Sequence, residues 1–159
     1  MSNSTMKENP HKSSLGMDAN LLAMLAYLVT CIFTWLPGIR YFAWAAPLIL
    51  FFIEKESGFV RFHAMQSFIL NVVGALLAFI LNVVVYGIFA AGMYTSDLNA
   101  WSASLGALGV ISVIAVAVCV VITVFTIIAL IKAYGYSDYQ IPLIGKLAER
   151  FTNKMNTGK

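Results

Sequence analysis

The stretch from Glu54 to Asn71, EKESGFVRFHAMQSFILN, gathers most of the charge in the middle of the chain and then runs straight into an apolar helix. Two shorter apolar runs precede it and two longer ones follow. A charged break between greasy segments reads as a loop between membrane segments, so this stretch sets the count and sidedness of the rest.

The chain has 159 residues, of which 60% are hydrophobic and only 11% charged, against about 25% charged in an average soluble domain. Mean hydropathy is +0.84. The expected fold is all-α and integral to the membrane: four transmembrane helices, a short hairpin plus two long helices, with an interfacial amphipathic helix at the C-terminus. One membrane domain over 19–151 lies between a disordered cytoplasmic tail, 1–18, and a frayed tail, 152–159. No room remains for a separate soluble catalytic domain. The formal charge of +3 does not point to nucleic acid, because the basic residues lie at membrane edges and act on orientation. Cys31 and Cys119 sit inside apolar runs without a paired framework and read as small core thiols. About 19 mostly polar residues precede the first apolar run, so no cleaved signal is expected.

Met1 to Gly16 is polar and without apolar periodicity, which predicts disorder; Asp18 or Asn20 then caps the first helix. The run Asn20 to Leu36 meets Pro37-Gly38, and a second run spans Ile39 to Ile53, a tight helical hairpin. The second arm covers about 22 Å against a hydrocarbon core of about 30 Å, so it borrows flanking residues, thins the bilayer or lies partly re-entrant. Arg40, Tyr41 and Trp44 suit an interfacial belt at its tip.

Ser67 to Met93 is expected as the third span and Leu105 to Ala133 as the fourth, joined by the loop Tyr94 to Ser104. On the third, Asn71 and Asn82 share a face with Ala75 and Ala78; on the fourth, Ser112, Ala115, Cys119, Thr123 and Thr126 are spaced by three or four. Such small and weakly polar stripes are packing glue between helices or, on a sharper reading, the lining of a pathway. The two stripes are expected to face each other. From Pro142, the residues Leu143, Ile144, Leu147, Ala148 and Phe151 share one side of a helix while Lys146, Glu149, Arg150 and Lys154 take the other, a pattern for the membrane surface.

Counting Lys and Arg by segment puts Lys7 and Lys12, Lys55 and Arg61, and Lys132, Lys146, Arg150, Lys154 and Lys159 on one side. Arg40 is alone on the other. The positive-inside rule makes both termini and the central loop cytoplasmic.

No paired carboxylates, metal-ligand spacing, nucleophile elbow or phosphate loop occurs, so no catalytic, metal or cofactor residues are assigned and no enzyme is expected. The central stretch remains the richest constellation: Glu54, Glu56, Arg61, His63 and Gln66 at the cytoplasmic face. Arg61 is placed to snorkel to lipid phosphate or pair with Glu54 or Glu56. Two readings stand for this motif, an anchor that fixes helix depth and a recognition surface for a partner or peptide.

The motif FVRFHAMQS at Phe59 to Ser67, with AYGYSDYQIPLIGKLAE at Ala133 to Glu149 after a long span, resembles the Tic20-like family of small bacterial membrane proteins (DUF4870, with the related UPF0132 proteins). The resemblance covers Leu21 to Glu149. It implies a four-helix membrane domain with cytoplasmic termini and relatives that include Tic20 of the chloroplast inner envelope, in preprotein import, and MamF-like proteins of magnetosome membranes. It supplies no catalytic residue. The expected function is a non-enzymatic scaffold or accessory subunit, associating with itself or with other membrane proteins in the lipid bilayer. The alternative is a protein-translocation or small-solute transport component, with Asn71, Asn82 and Thr123 lining a polar path between the third and fourth spans.

Overall fold

The computed structural model describes residues 7–36 and 38–157, and these fold as helices joined by short connections. Pro37 and the side chains of Arg40 and Tyr41, expected at the hairpin tip, lie outside the described residues.

Helix α1 covers Ala19–Trp35. The expected capping role of Asp18 is not made: its side chain forms no cap bond and instead pairs with Lys12 at 2.9 Å. Asn20 accepts the Leu21 amide at 2.9 Å and donates to the Tyr134 carbonyl at 2.9 Å. Past Leu36 the chain turns at Gly38, whose φ of +83° suits a residue without a Cβ.

The run from Ile39 to Ile53, expected as one arm, divides into a 3-10 turn, Ile39–Phe42, and helix α2, Ala45–Ile53. Pro47 accounts for the break, because it lacks an amide hydrogen and its ring is tolerated only in a first turn. With 9 residues, α2 is about 14 Å long, and α1 with 17 about 26 Å.

Helix α3, Gly58–Met93, and helix α4, Leu98–Tyr134, have 36 and 37 residues and are, among the described residues, the two helices long and apolar enough to cross a membrane. The four expected spans therefore reduce, by length, to two long helices and a shorter pair. Both long helices also start earlier than expected. Ser57 accepts the Val60 amide at 3.2 Å and caps α3, so the charged stretch is helix from its fifth residue. Asp97 accepts the Asn99 amide at 2.9 Å, which starts α4 at Leu98 and cuts the expected loop, Tyr94 to Ser104, to four residues. Helix α5, Ile144–Thr157, keeps residues 152–157 helical where fraying was expected, with Thr152 buried.

The chain divides into two compact units, Met1–Val72 with Phe125–Lys159, and Val73–Val124. In the first, Ala26, Phe51, Phe62, Ala64, Met65 and Ala148 form a core with Leu50, Phe68 and Ile69 against it. Four helices contribute to it. The N-terminal segment from Lys7, expected as disordered, is tied down there: the Glu8 amide donates to the Tyr136 carbonyl at 2.8 Å and the Ala19 amide to that of His11 at 3.1 Å.

The second unit is the hairpin of α3 and α4. Among its less exposed positions, Leu81, Val85, Ile88 and Gly92 on α3 and Ile111, Ala115, Val118 and Ile122 on α4 are spaced by three and four as an inward seam requires. A Cβ on Gly92 would stand 2.9 Å from the Trp101 ring, and one on Gly74 4.0 Å from Ile122. Ala75, Ala78, Asn82, Ser112, Cys119 and Thr123 are exposed. The expectation that the two stripes face each other is thus corrected: Ala115 belongs to the seam, and the others point outward.

Candidate functional site

Over the first turns of α3 the sequence places Arg61, His63, Gln66 and Ser67, and all four are buried. Buried polar groups demand partners, and these arrive from segments far away in the chain. Gln66 Nε2 donates to the Tyr27 hydroxyl at 3.0 Å and to the Tyr139 carbonyl at 3.1 Å, while its Oε1 accepts the Ile141 amide at 3.2 Å. One side-chain amide thereby joins α1, α3 and the connection before α5. Its donors and acceptor together fix which way the amide points.

The Tyr27 hydroxyl lies 3.1 Å from His63 Nδ1. Tyr27 is satisfied when it accepts from Gln66 and donates to Nδ1, which leaves the imidazole proton on Nε2. Nε2 is buried and makes no hydrogen bond of standard geometry; the Ser137 backbone is its polar neighbour. Phe59 covers the ring edge-on at 4.6 Å between centroids. Ser67 Oγ donates to the Ala26 carbonyl at 2.8 Å, a second clasp between α1 and α3.

An outer layer surrounds Glu54, which is 1% exposed. Its carboxylate accepts the amides of Ser14 at 3.1 and 3.2 Å, Glu56 at 2.9 Å and Ser57 at 2.9 Å. Burial works to raise its pKa, but the Ser57, Ser14 and Glu56 amides and the Ser14 hydroxyl outweigh it and hold the group below its ordinary value. His11 Nε2 lies 2.8 Å from Ser57 Oγ, and the Phe59 and Tyr136 rings stack at 5.7 Å. Arg61 places its guanidinium 4.6 Å above the Phe51 ring, a cation–π contact within the chain. Asp138, on the connection, is pushed up to about 6 by burial and by the charges of Glu8 and Glu149.

Of the five residues expected at the cytoplasmic face, Glu54, Arg61, His63 and Gln66 come together as interior groups and only Glu56 is exposed. Glu56 contributes its amide, not its carboxylate. The recognition-surface reading is corrected on this ground: a partner cannot reach four of the five. The anchor reading changes as well, since Arg61 is buried at 9% exposure against Phe51 and does not reach outward as snorkelling requires.

The intramembrane stripe is not assembled. Asn71 donates to the Ser67 carbonyl at 2.8 Å, Asn82 to that of Ala78 at 2.7 Å, Ser112 to that of Leu108 at 2.8 Å and Thr123 to that of Cys119 at 2.8 Å. Each bond runs to a carbonyl of the same helix, four residues back. Thr126 is half-buried in the first unit. Because Asn82, Ser112 and Thr123 are exposed, the expected polar path between α3 and α4 is not formed by them.

Tyr27, Tyr139, His11 and Ser14 escaped the sequence reading. A lone phenol in a greasy helix is itself a signal, since a buried hydroxyl demands a partner; the other three carry none. One open cleft of about 350 Å³ lies at Pro10, His11, Lys12, Asp18, Asn20 and Tyr136, but its two opposite charges are already paired.

Residues 18–148 match the magnetosome magnetite crystal formation protein family. The chain belongs to this family. The span shared with the magnetosome magnetite crystal formation family holds the whole cluster of Tyr27, His63, Gln66, Tyr139 and Ile141, whereas His11 and Ser14 precede it. A UPF0132 membrane protein of Methanocaldococcus jannaschii is 29% identical over 138 residues, 87% of this chain and 73% of that protein. A second UPF0132 membrane protein of the same organism is 29% identical over 141 residues, 89% of this chain and 94% of its own length. No solved structure matches. Family and apolar helices together identify a membrane protein.

Proposed function

We propose that the chain is a non-enzymatic scaffold or accessory subunit that associates with copies of itself in the bilayer. The observation behind this is the outward surface of the Val73–Val124 unit. It presents Ala75, Ala78 and Asn82 on one helix and Ser112, Cys119 and Thr123 on the other, all exposed. The hydroxyls of Ser112 and Thr123 and the amide donor of Asn82 bond to their own helix carbonyls. In hydrocarbon, small residues let backbones approach closely, and polar groups already bonded to their own helix lower the desolvation cost of that approach.

In this reading α1 and α2 enter the same bilayer as a short hairpin and complete four membrane segments, with α5 along the interface. The membrane is the bacterial inner membrane, and both termini are cytoplasmic. Two facts support a shared side: the Lys and Arg count, and the bonds that join the N-terminal segment, the central loop and the end of α4. The family description concerns magnetite crystal formation, and we read this chain's part as that of a membrane scaffold. Native mass spectrometry from detergent and from lipid is expected to show oligomers. Monomer under every condition would overturn the proposal.

A further inference from the structure

We propose that α5 reads lipid headgroups: seated on the core by one face, it lays a second face on an anionic bilayer surface, where Lys146, Arg150 and Lys154 hold it. The proposal rests on the reading that the chain is embedded in a bilayer and deepens it by naming the lipid class.

Three rows run along the helix. Gly145, Ala148 and Thr152 are buried, with Ala148 in the core cluster. Leu147, Phe151 and Met155 repeat every fourth residue and are 44%, 51% and 41% exposed, so the core does not account for them. Lys146, Arg150 and Lys154 form the adjacent row, about 100° around the helix from the apolar one. Glu149 lies on the far flank of the basic row, where Gln140 donates to its carboxylate at 3.0 Å. With three basic residues against this one acid, α5 carries a net charge of +2. Among the described residues neither Lys146 nor Arg150 forms an ion pair.

An exposed apolar row beside a basic row fits an acyl boundary beside anionic headgroups. Because the inner row is fixed in the core, both outer rows are oriented before any lipid arrives, which lowers the ordering cost of docking. Each basic residue near an anionic surface strengthens docking about five-fold.

The test uses the full chain in lipid nanodiscs, with Cys31→Ser, Cys119→Ser and Met155→Cys carrying a polarity-sensitive fluorophore, and Asn153→Cys as the water-facing comparison. A blue shift at 155 and not at 153 is expected in discs containing phosphatidylglycerol, weakened in pure phosphatidylcholine and by high salt. Lys146→Gln with Arg150→Gln is expected to reduce docking about 25-fold, two basic residues at about five-fold each. An equal, salt-insensitive shift in both lipids would overturn the headgroup reading and leave the embedding intact. A shift that vanishes at one copy per disc would mean that the row packs on a second copy, which also overturns it. No shift in either lipid overturns it as well, and failure of the chain to enter discs at all would overturn the embedding too.

Discussion

Gly145 is the position where the junction of α3, α5 and the preceding connection is tightest, and replacing it with alanine tests that packing. A Cβ there would meet the Gln140 Cβ at 2.6 Å, its Cα at 2.7 Å and Gln66 Oε1 at 2.9 Å. The Cα belongs to the backbone and cannot swing aside. Forcing a methyl into such a gap costs about 1–3 kcal/mol. Displacing Gln66 Oε1 strands the Ile141 amide, which adds about 1–3 kcal/mol. Alanine in a helix recovers about 1 kcal/mol over glycine. The net loss centres on about 3 kcal/mol. Thermal unfolding of the purified protein in nanodiscs reads this, with Gly109→Ala as the internal comparison, since a Cβ on Gly109 meets nothing within 4 Å. Gly109→Ala is expected to be neutral or slightly stabilising. If Gly145→Ala melts with Gly109→Ala at or above the wild-type temperature, the close approach does not exist and the account of the junction is wrong.

Gln66→Leu removes three hydrogen bonds at once and leaves the buried Ile141 amide and the part-buried Tyr139 carbonyl unmatched; about 2–4 kcal/mol of stability should go, with faster hydrogen exchange at Ile141 as the specific mark. Asp138 titrates at about 6 in the folded protein, above the ordinary carboxyl value of about 4. Its neutral form is therefore favoured by folding: the contribution is complete below pH about 4 and is lost as pH rises through about 6. Asp138→Asn should flatten the stability profile across that window and raise stability at neutral pH. Arg61→Lys keeps the charge but loses the guanidinium that lies over Phe51, and a loss of about 0.5–2 kcal/mol is expected in the same melt.

The sequence made the long apolar helices legible because hydrophobicity sustained over more than twenty residues has few other uses. It also showed the break before the second apolar run, where Gly38 turns the chain, and the amphipathic end of the chain. It misplaced the beginnings of α3 and α4, since Glu54 to Gln66 and Tyr94 to Ser104 look like loops when judged by polarity. In the first case the polar side chains are interior, matched by Ser14, Tyr27, Tyr139 and Ile141, up to 75 residues away. No local pattern encodes a partner at that distance. The N-terminal segment misled for the same reason: its hold on the fold is a set of backbone and His11 bonds, and carries no apolar periodicity. The stripes were off by about one position, because Ile111, Val118 and Ile122 sit inward where Ser112, Cys119 and Thr123 were expected.

The claim that copies associate through the outward face of the α3–α4 hairpin is tested most directly by oxidative cross-linking in bilayers. The variant carries Cys31→Ser, Cys119→Ser and Asn82→Cys, with Leu81→Cys replacing Asn82→Cys as the seam-facing comparison. The account predicts a covalent dimer from position 82 and none from position 81. No dimer at 82, or equal yields at both positions, would contradict it.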